Sequence, residues 1–267
     1  MVSNMRYVVE DPGDDRLADY VRLRDSQLRR SLETERGIFI AEGEKIIRRA
    51  AEAGARPRSF MLQERWLPGL ADVLEAWPDV PCYVVSGALA EEVSGFHVHR
   101  GALAAFDRPV MANWETVLAG SRILICEGLV DHANAGGIMR VAAGLGWDAV
   151  VICPSGADPL YRRAIKASMG ASLSLPWRRM DDARADLARV KNAGFRLVAS
   201  SLGAGAVPLE DCRAEEKVAV LLGSEGHGLS EQWLAAADQV VTIPMADGVD
   251  SLNVTTAAAI FAYELRR

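Results

Sequence analysis

The apolar positions of this chain change their rhythm partway along it. Over 15–31, Leu17, Tyr20, Val21, Leu23 and Leu28 recur near helical spacing with arginines between them, which predicts a helix. Short apolar runs at 38–41, 58–62, 82–85 and 102–106 predict strands. Helices are predicted between them over 42–53, closed by Gly54, and over 67–76, bracketed by Pro78 and Pro81. This stretch reads as a small α/β unit ending near Arg108-Pro109, with 107–120 a linker running into a short helix. Beyond it the alternation is more regular. Strands are predicted at 123–126, 149–153, 196–200, 217–222 and 239–243, and helices at 135–145, 159–168, 182–193, 230–236 and 251–267. These strands are continuous apolar runs, the pattern of a parallel sheet covered by helices on both faces. The expected organisation is a small α/β domain over 1–110, a linker over 111–120, and a parallel-sheet α/β domain over 121–267.

With 267 residues, half of them hydrophobic, the chain can bury a substantial core as one large or two ordinary domains. No run of 18 apolar residues is present, so no membrane-spanning helix is expected. The first fifteen residues lack a basic stretch followed by an apolar one, so no secretory signal is expected either. Cys82, Cys126, Cys153 and Cys212 are far apart and form no C-x-x-C pair, which predicts reduced, buried thiols in a cytoplasmic protein and no zinc site. The net charge of −6 argues against a generally adhesive nucleic-acid binder, but its distribution is uneven. Residues 16–65 hold 12 Lys/Arg and 8 Asp/Glu, a local +4 that leaves −10 for the rest. The arginines Arg22, Arg24, Arg29, Arg30 and Arg36, then Arg48, Arg49, Arg56 and Arg58, fit local contact with a phosphate backbone. They fit a solvated mixed-charge helix face equally well.

Three segments carry candidate chemistry: Asn134-Ala-Gly-Gly-Ile-Met-Arg140, Leu222-Gly-Ser-Glu-Gly-His-Gly-Leu229, and Ile243-Pro-Met245 running on to Ser251-Leu-Asn-Val254. Each puts glycine or a small polar residue just after an apolar run, and each holds one reactive or polar group: Arg140, Glu225, Asn253. Ligands of open α/β sheets sit beyond the carboxyl ends of the strands, so the site is predicted where these loops meet. The histidines, His97, His99, His132 and His227, form no H-x-x-x-H or H-E-x-x-H pattern. An ordinary nicotinamide fold is disfavoured, because Gly144-Leu-Gly146 follows a helix and no G-x-G-x-x-G follows the first strand of the second half.

Together the segments resemble the SpoU/TrmH family of RNA ribose 2′-O-methyltransferases, within the SPOUT superfamily. Asn134, Gly136, Ile138 and Arg140 match its N-x-G-x-I-x-R motif. Leu222, Gly223, Glu225, Gly228 and Leu229 match L-G-x-E-x-x-G-L. Ile243, Pro244, Met245, Gly248, Ser251, Leu252, Asn253 and Val254 match I-P-M-x-G-x-x-x-S-L-N-V, with one extra residue at Ala246-Asp247 and Thr255 where the family usually has serine. Residues 39–47 and His99-Arg-Gly101 resemble the opening and end of the family's substrate-binding domain, so the likeness spans roughly 15–267.

The resemblance implies a deep trefoil knot in the C-terminal domain, an N-terminal RNA-binding domain, and a homodimer with the site at its interface. It implies S-adenosylmethionine as cofactor, held by Leu222, Gly223, Ile243, Met245 and Leu252, with Ser200 or Ser201 nearby, and no metal. The expected product is a 2′-O-methylated ribose, in rRNA ahead of tRNA; an RNA-binding protein without catalysis is the rival of a different class. Arg140 is expected to grip phosphate and stabilise the developing alkoxide, since arginine is hard to deprotonate. Glu225 is expected to orient Arg140 or a loop of the partner subunit, or else to sit as a carboxylate at a helix start. Asn134 and Asn253 are expected to bind loop backbone and substrate, and Ser251 to cap the last helix. Arg22, Arg29, Arg30 and Arg36 are candidate RNA contacts, with Arg162, Arg163 and Lys166 as further candidates or a solvated face.

Overall fold

The structure is a computed structural model that describes residues 5–23, 25, 33–96, 101–203, 205–213, 215–248 and 251–266. By internal contacts the chain divides into Met1–Pro109 with Leu160–Lys166, and Val110–Pro159 with Ala167–Arg267.

The first unit is built on a mixed sheet of β1 (Arg6–Val8), β2 (Ile38–Glu42), β3 (Pro57–Leu62), β4 (Cys82–Val84) and β5 (Ala102–Asp107). Their order is β1-β4-β3-β5-β2, with β5 antiparallel to both β3 and β2 and the other pairs parallel. The helices are α1 (Glu44–Glu52), α2 (Ala71–Ala76) and α3 (Gly87–Ser94). Ile38, Ile40, Met61, Leu103 and Ala105 pack with Leu17, Tyr20, Leu23 and Val93. The buried Tyr20 hydroxyl donates to Ser59 O at 2.8 Å and accepts from Ala105 N at 3.2 Å. The sequence pattern misses α3, whose start is set by Ser86 accepting from Leu89 N and whose end is Gly95 at φ 75°.

In the described part of the helix expected over 15–31 the chain forms a 3-10 turn, Asp15–Tyr20, after which Val21 is extended and Arg22 takes φ 52°. The reason is hydrogen bonding: the N–H groups of Arg22 and Leu23 go to the carbonyls of Val93 and Ser94, not back along a helix. The remainder of that expected helix, with Arg24, Arg29 and Arg30, and likewise His97 and His99, lies outside the described residues. The helix expected from Glu42 begins two residues later, because Glu42 ends β2 and is 3% exposed in its side chain. Its carboxylate pairs with Arg162 and accepts from Lys166 Nζ at 2.6 Å. Burial pushes this carboxyl up, but the Lys166 hydrogen bond and the Arg162 charge outweigh burial and hold it below the ordinary range. Arg162 also lies over the Phe96 ring at 4.3 Å. Of the basic residues Arg162, Arg163 and Lys166, two are thus tied to a buried carboxylate.

The second unit holds a seven-stranded sheet of β6 (Arg122–Cys126), β7 (Ala149–Ile152), β8 (Trp177–Arg179), β9 (Arg196–Ser200), β10 (Val207–Pro208), β11 (Val218–Leu222) and β12 (Gln239–Thr242). Every pairing is parallel, in the order β10-β12-β9-β11-β6-β7-β8. Its helices are α4 (Trp114–Leu118), α5 (His132–Gly144), α7 (Ala183–Asn192), α8 (Glu231–Ala236) and α9 (Val254–Glu264), while α6 (Arg162–Ala167) belongs, but for its last residue, to the first unit. On one face, Val117 of α4, Leu187 and Val190 of α7 and Trp233 of α8 pack on Ile123, Ile125, Val151, Leu197 and Leu221. The alternate residues Leu124, Val150, Val198 and Val220 are buried too, on the face where α5 and α9 pack together. Double-sided burial is why these strands read as unbroken apolar runs. The two-residue β10 and three-residue β8 are too short to show a pattern.

Candidate functional site

The second and third motif segments meet the residues after β9 at the carboxyl ends of β9, β11 and β12, while the first motif lies on α5 beside them. They line a cavity of about 400 Å³, within the range of small-molecule sites. Ser200, Leu222, Gly223, Ile243, Met245 and Leu252, the residues expected to hold a cofactor, all lie in its wall, with Ser201, Thr242 and Ser251. Among the described residues the lining contains no lysine or arginine, and Glu225 is its single carboxylate. Gly223 is set by close approach: a Cβ there would come 2.2 Å from the Gly228 carbonyl carbon and 2.4 Å from Leu229 N. The loop doubles back at this point, with Ser224 N donating to Gly228 O at 3.2 Å and Gly228 N to Ser224 O at 2.9 Å.

At the cavity's edge, Asn134, Glu225 and Asn253 form one polar cluster. Asn134 Nδ2 donates to Glu225 Oε1 at 2.5 Å, and Asn253 Nδ2 donates to the same oxygen at 2.8 Å and to Asn134 Oδ1 at 3.1 Å. Asn253 also caps α9, its Oδ1 accepting from Thr255 N at 2.9 Å. The last helix is therefore capped by Asn253, and Ser251, expected in that role, lines the cavity. Thr255 Oγ1 lies 3.4 Å from both Asn134 oxygens. Its side chain would clash at 2.7 Å with a Cβ on Gly137, so a glycine lets α5 and α9 cross closely.

Arg140, two turns along α5 from Asn134, is exposed and has no ion-pair or hydrogen-bond partner among the described residues. It lines a separate open groove with Asn134, Gly137, Asn253 and Thr255. Glu225 therefore holds two asparagines and does not orient Arg140. The carboxylate that serves the start of α8 is Glu127, which accepts from Ser230 N at 2.8 Å and Ser230 Oγ at 2.7 Å. Asp131, three residues before Asn134 and outside the matched motif, joins the cluster through its Oδ1, which accepts from Asn134 N at 3.4 Å.

In the first unit, Arg22 is exposed, while Arg36 is ion-paired to Asp19 at 2.8 Å. All four cysteines are free thiols and buried; burial pushes Cys126 well up, and Cys82 up to about 11. Among the described residues no cluster of three His, Cys, Asp or Glu side chains could hold a metal.

Residues 121–263 match the SpoU rRNA Methylase family, and that span contains the whole parallel sheet, all three motif loops and the cavity. The chain belongs to the SpoU family. It is thereby an enzyme of the RNA methyltransferase class. Over 261 residues it is 41% identical to an uncharacterized tRNA/rRNA methyltransferase of Mycobacterium tuberculosis, covering 96% of this chain and 90% of the relative. A crystal structure of an RNA 2′-O ribose methyltransferase superposes with a TM-score of 0.80 at 28% identity, covering 98% of each chain. An AdoMet-bound rRNA methyltransferase from Sinorhizobium meliloti shares the fold, with a TM-score of 0.82 at 21% identity over 98% of each chain.

Proposed function

We propose that this protein transfers a methyl group from S-adenosylmethionine to a ribose 2′-hydroxyl of RNA, with ribosomal RNA the favoured acceptor. The observation that carries the donor is the chemistry of the 400 Å³ cavity. A dinucleotide or nucleoside triphosphate brings anionic phosphates that call for cationic side chains or free helix N-termini. This lining offers hydroxyls, apolar walls and one carboxylate, and the adjacent start of α9 is capped by Asn253. That surface suits a nucleoside bearing a positive charge.

S-adenosylmethionine supplies an electrophilic methyl group on a positively charged sulfur. The chain's own task is to position the acceptor hydroxyl in line and to favour its oxygen as the proton leaves. Asn134, Glu225 and Asn253, locked to one another beside the cavity, hold the reacting edge in place. Arg140, fixed on α5 and without a partner among the described residues, grips the acceptor's phosphate and stabilises the developing negative charge. Family membership and the 28% identical 2′-O ribose methyltransferase support the ribose hydroxyl as acceptor.

Three further features complete this reading. The first unit binds RNA, with Arg22 and its neighbours as contacts. The chain is knotted, which fits the placing of β12 between β9 and β10 before the chain returns to pack α9 on α5. Two copies associate in the cytoplasm through the exposed side of these helices, where Ile260 and Tyr263 are exposed on α9. The test is incubation of total rRNA and tRNA with radiolabelled S-adenosylmethionine. Alkali-resistant dinucleotides should carry the label in the rRNA pool, and Arg140→Ala should lower the rate about 100-fold or more with donor binding unchanged. Absence of both donor binding and labelling sinks the reading.

A further inference from the structure

A second, smaller cavity of about 290 Å³ lies on the other side of Glu225, and its position follows from topology. β6 and β11 are parallel neighbours in the sheet. The helix after β11, α8, packs by Trp233 on the same face as Ile123 and Ile125. The helix after β6, α5, packs with α9 on the opposite face. The two connections therefore leave the sheet's carboxyl edge in opposite directions, and a crevice opens between them. Such crevices are where α/β sheets take ligands.

Its walls are the loop after β6, with Gly128, Val130 and Asp131, and the loop after β11, with Gly226 and His227; Asn134 and Glu225 close the side facing the donor cavity. Glu225 and His227 line both cavities, and Asn134 also lines the groove of Arg140. Three openings thus meet at one cluster. A methyl transfer between two substrates needs this convergence, with donor and acceptor reaching the same point from different sides.

Two features describe the crevice's occupant. Val130 is 75% exposed on the crevice wall and gives it an apolar surface. Asp131 caps α5 through Oδ1, which accepts from Ala133 N at 2.5 Å and Asn134 N at 3.4 Å, while Oδ2 has no hydrogen-bond partner among the described residues. An apolar platform beside an acceptor-only carboxylate suits a flat ring that carries an N–H donor.

We infer that the crevice between the β6 and β11 loops seats the base of the acceptor nucleotide, with Asp131 selecting bases that bear an exocyclic amine. Guanine, adenine and cytosine offer that amine, whereas uracil offers only its ring N3–H, flanked by two carbonyl oxygens that a carboxylate repels. The inference rests on the proposed RNA acceptor, and it goes further by naming where the base sits and what reads it.

The test is an amide-resolved NMR titration of the full chain with guanosine 5′-monophosphate and with uridine 5′-monophosphate, repeated on Asp131→Asn. Asparagine caps a helix as well as aspartate does, so α5 is preserved while the carboxylate is lost. The guanosine nucleotide should shift Gly128, Val130, Gly226 and His227, and should bind about tenfold more tightly than the uridine nucleotide, as expected for one hydrogen bond to a charged group. Asp131→Asn should abolish that preference while S-adenosylhomocysteine affinity stays unchanged. Shifts confined to Ser200, Thr242 and Leu252, no shifts at the crevice, or equal affinity for the two nucleotides each overturn the inference. Failure of the broader reading looks different: nucleotide seated in the crevice, but no label entering any RNA from the wild-type chain.

Discussion

Each unit of this molecule has a glutamate that accepts hydrogen bonds from two side chains, and the two glutamates are built for opposite ends. Glu42 is buried, and both its donors are cations, Arg162 and Lys166. Charge meets charge, and the held-down carboxyl marks a group whose protonation would cost stability. Glu225 is exposed, and both its donors are the neutral amides of Asn134 and Asn253. Amides position a carboxylate without cancelling its charge. The first arrangement consumes its glutamate in holding structure together; the second keeps a negative charge oriented and available at the edge of a cavity. On the proposed function, the same side chain becomes a brace or a working group according to burial and the charge of its partners.

Exchanging each glutamate for its amide tests that contrast. Glu225→Gln should give the largest effect: methylation should fall about 100-fold, the scale of losing one preorganised electrostatic group, while thermal unfolding barely moves. A large loss of Tm with rate retained would show Glu225 to be another brace. Glu42→Gln should do the reverse. Removing one partner of a buried ion pair costs about 3 kcal/mol, so Tm should fall by roughly 6–12 °C, with the activity per folded molecule at low temperature near that of the parent.

A pH series sharpens the same point. The folded-state pKa of Glu42 lies below its ordinary value of 4.5, so the pair's contribution is complete above that value and is lost as pH falls through the folded one. The gap in urea midpoint between parent and Glu42→Gln should therefore be constant near neutrality and shrink below about pH 4.5. A gap that stays constant however far the pH falls below 4.5 would assign the effect to packing and not to charge. The smallest stability effect belongs to Asn253→Ser. Serine keeps the α9 cap, so stability should stay within about 0.5 kcal/mol, while the lost bond to Glu225 should slow methylation about tenfold.

Legibility in the sequence followed the range of the forces involved. The central strands β6, β7, β9 and β11 are buried on both faces, and that condition writes itself into consecutive residues. The loops after β11 and β12 were legible as a site because glycine and small polar residues follow those runs directly. Over 15–23 the apolar spacing is helical, yet the N–H groups of Arg22 and Leu23 find partners at Val93 and Ser94, some seventy residues away. β1, β8 and β10, at two or three residues each, are strands only because a neighbour pairs with them.

By itself, then, the sequence determined the five central strands of the parallel sheet, which loops lie at its carboxyl edge, and the family those loops resemble. Hydrophobic periodicity and turn chemistry are local, and they act before any long-range contact forms. Only the tertiary structure decided what the polar side chains do. Asn134 meets Glu225 across 91 positions and Asn253 across 119, while Glu42 meets Arg162 across 120. Nothing near any of these residues in the chain announces its partner. Whether a carboxylate is buried against cations or held open by amides depends on how the sheet and its crossovers fold, and that difference separates structural support from chemistry here.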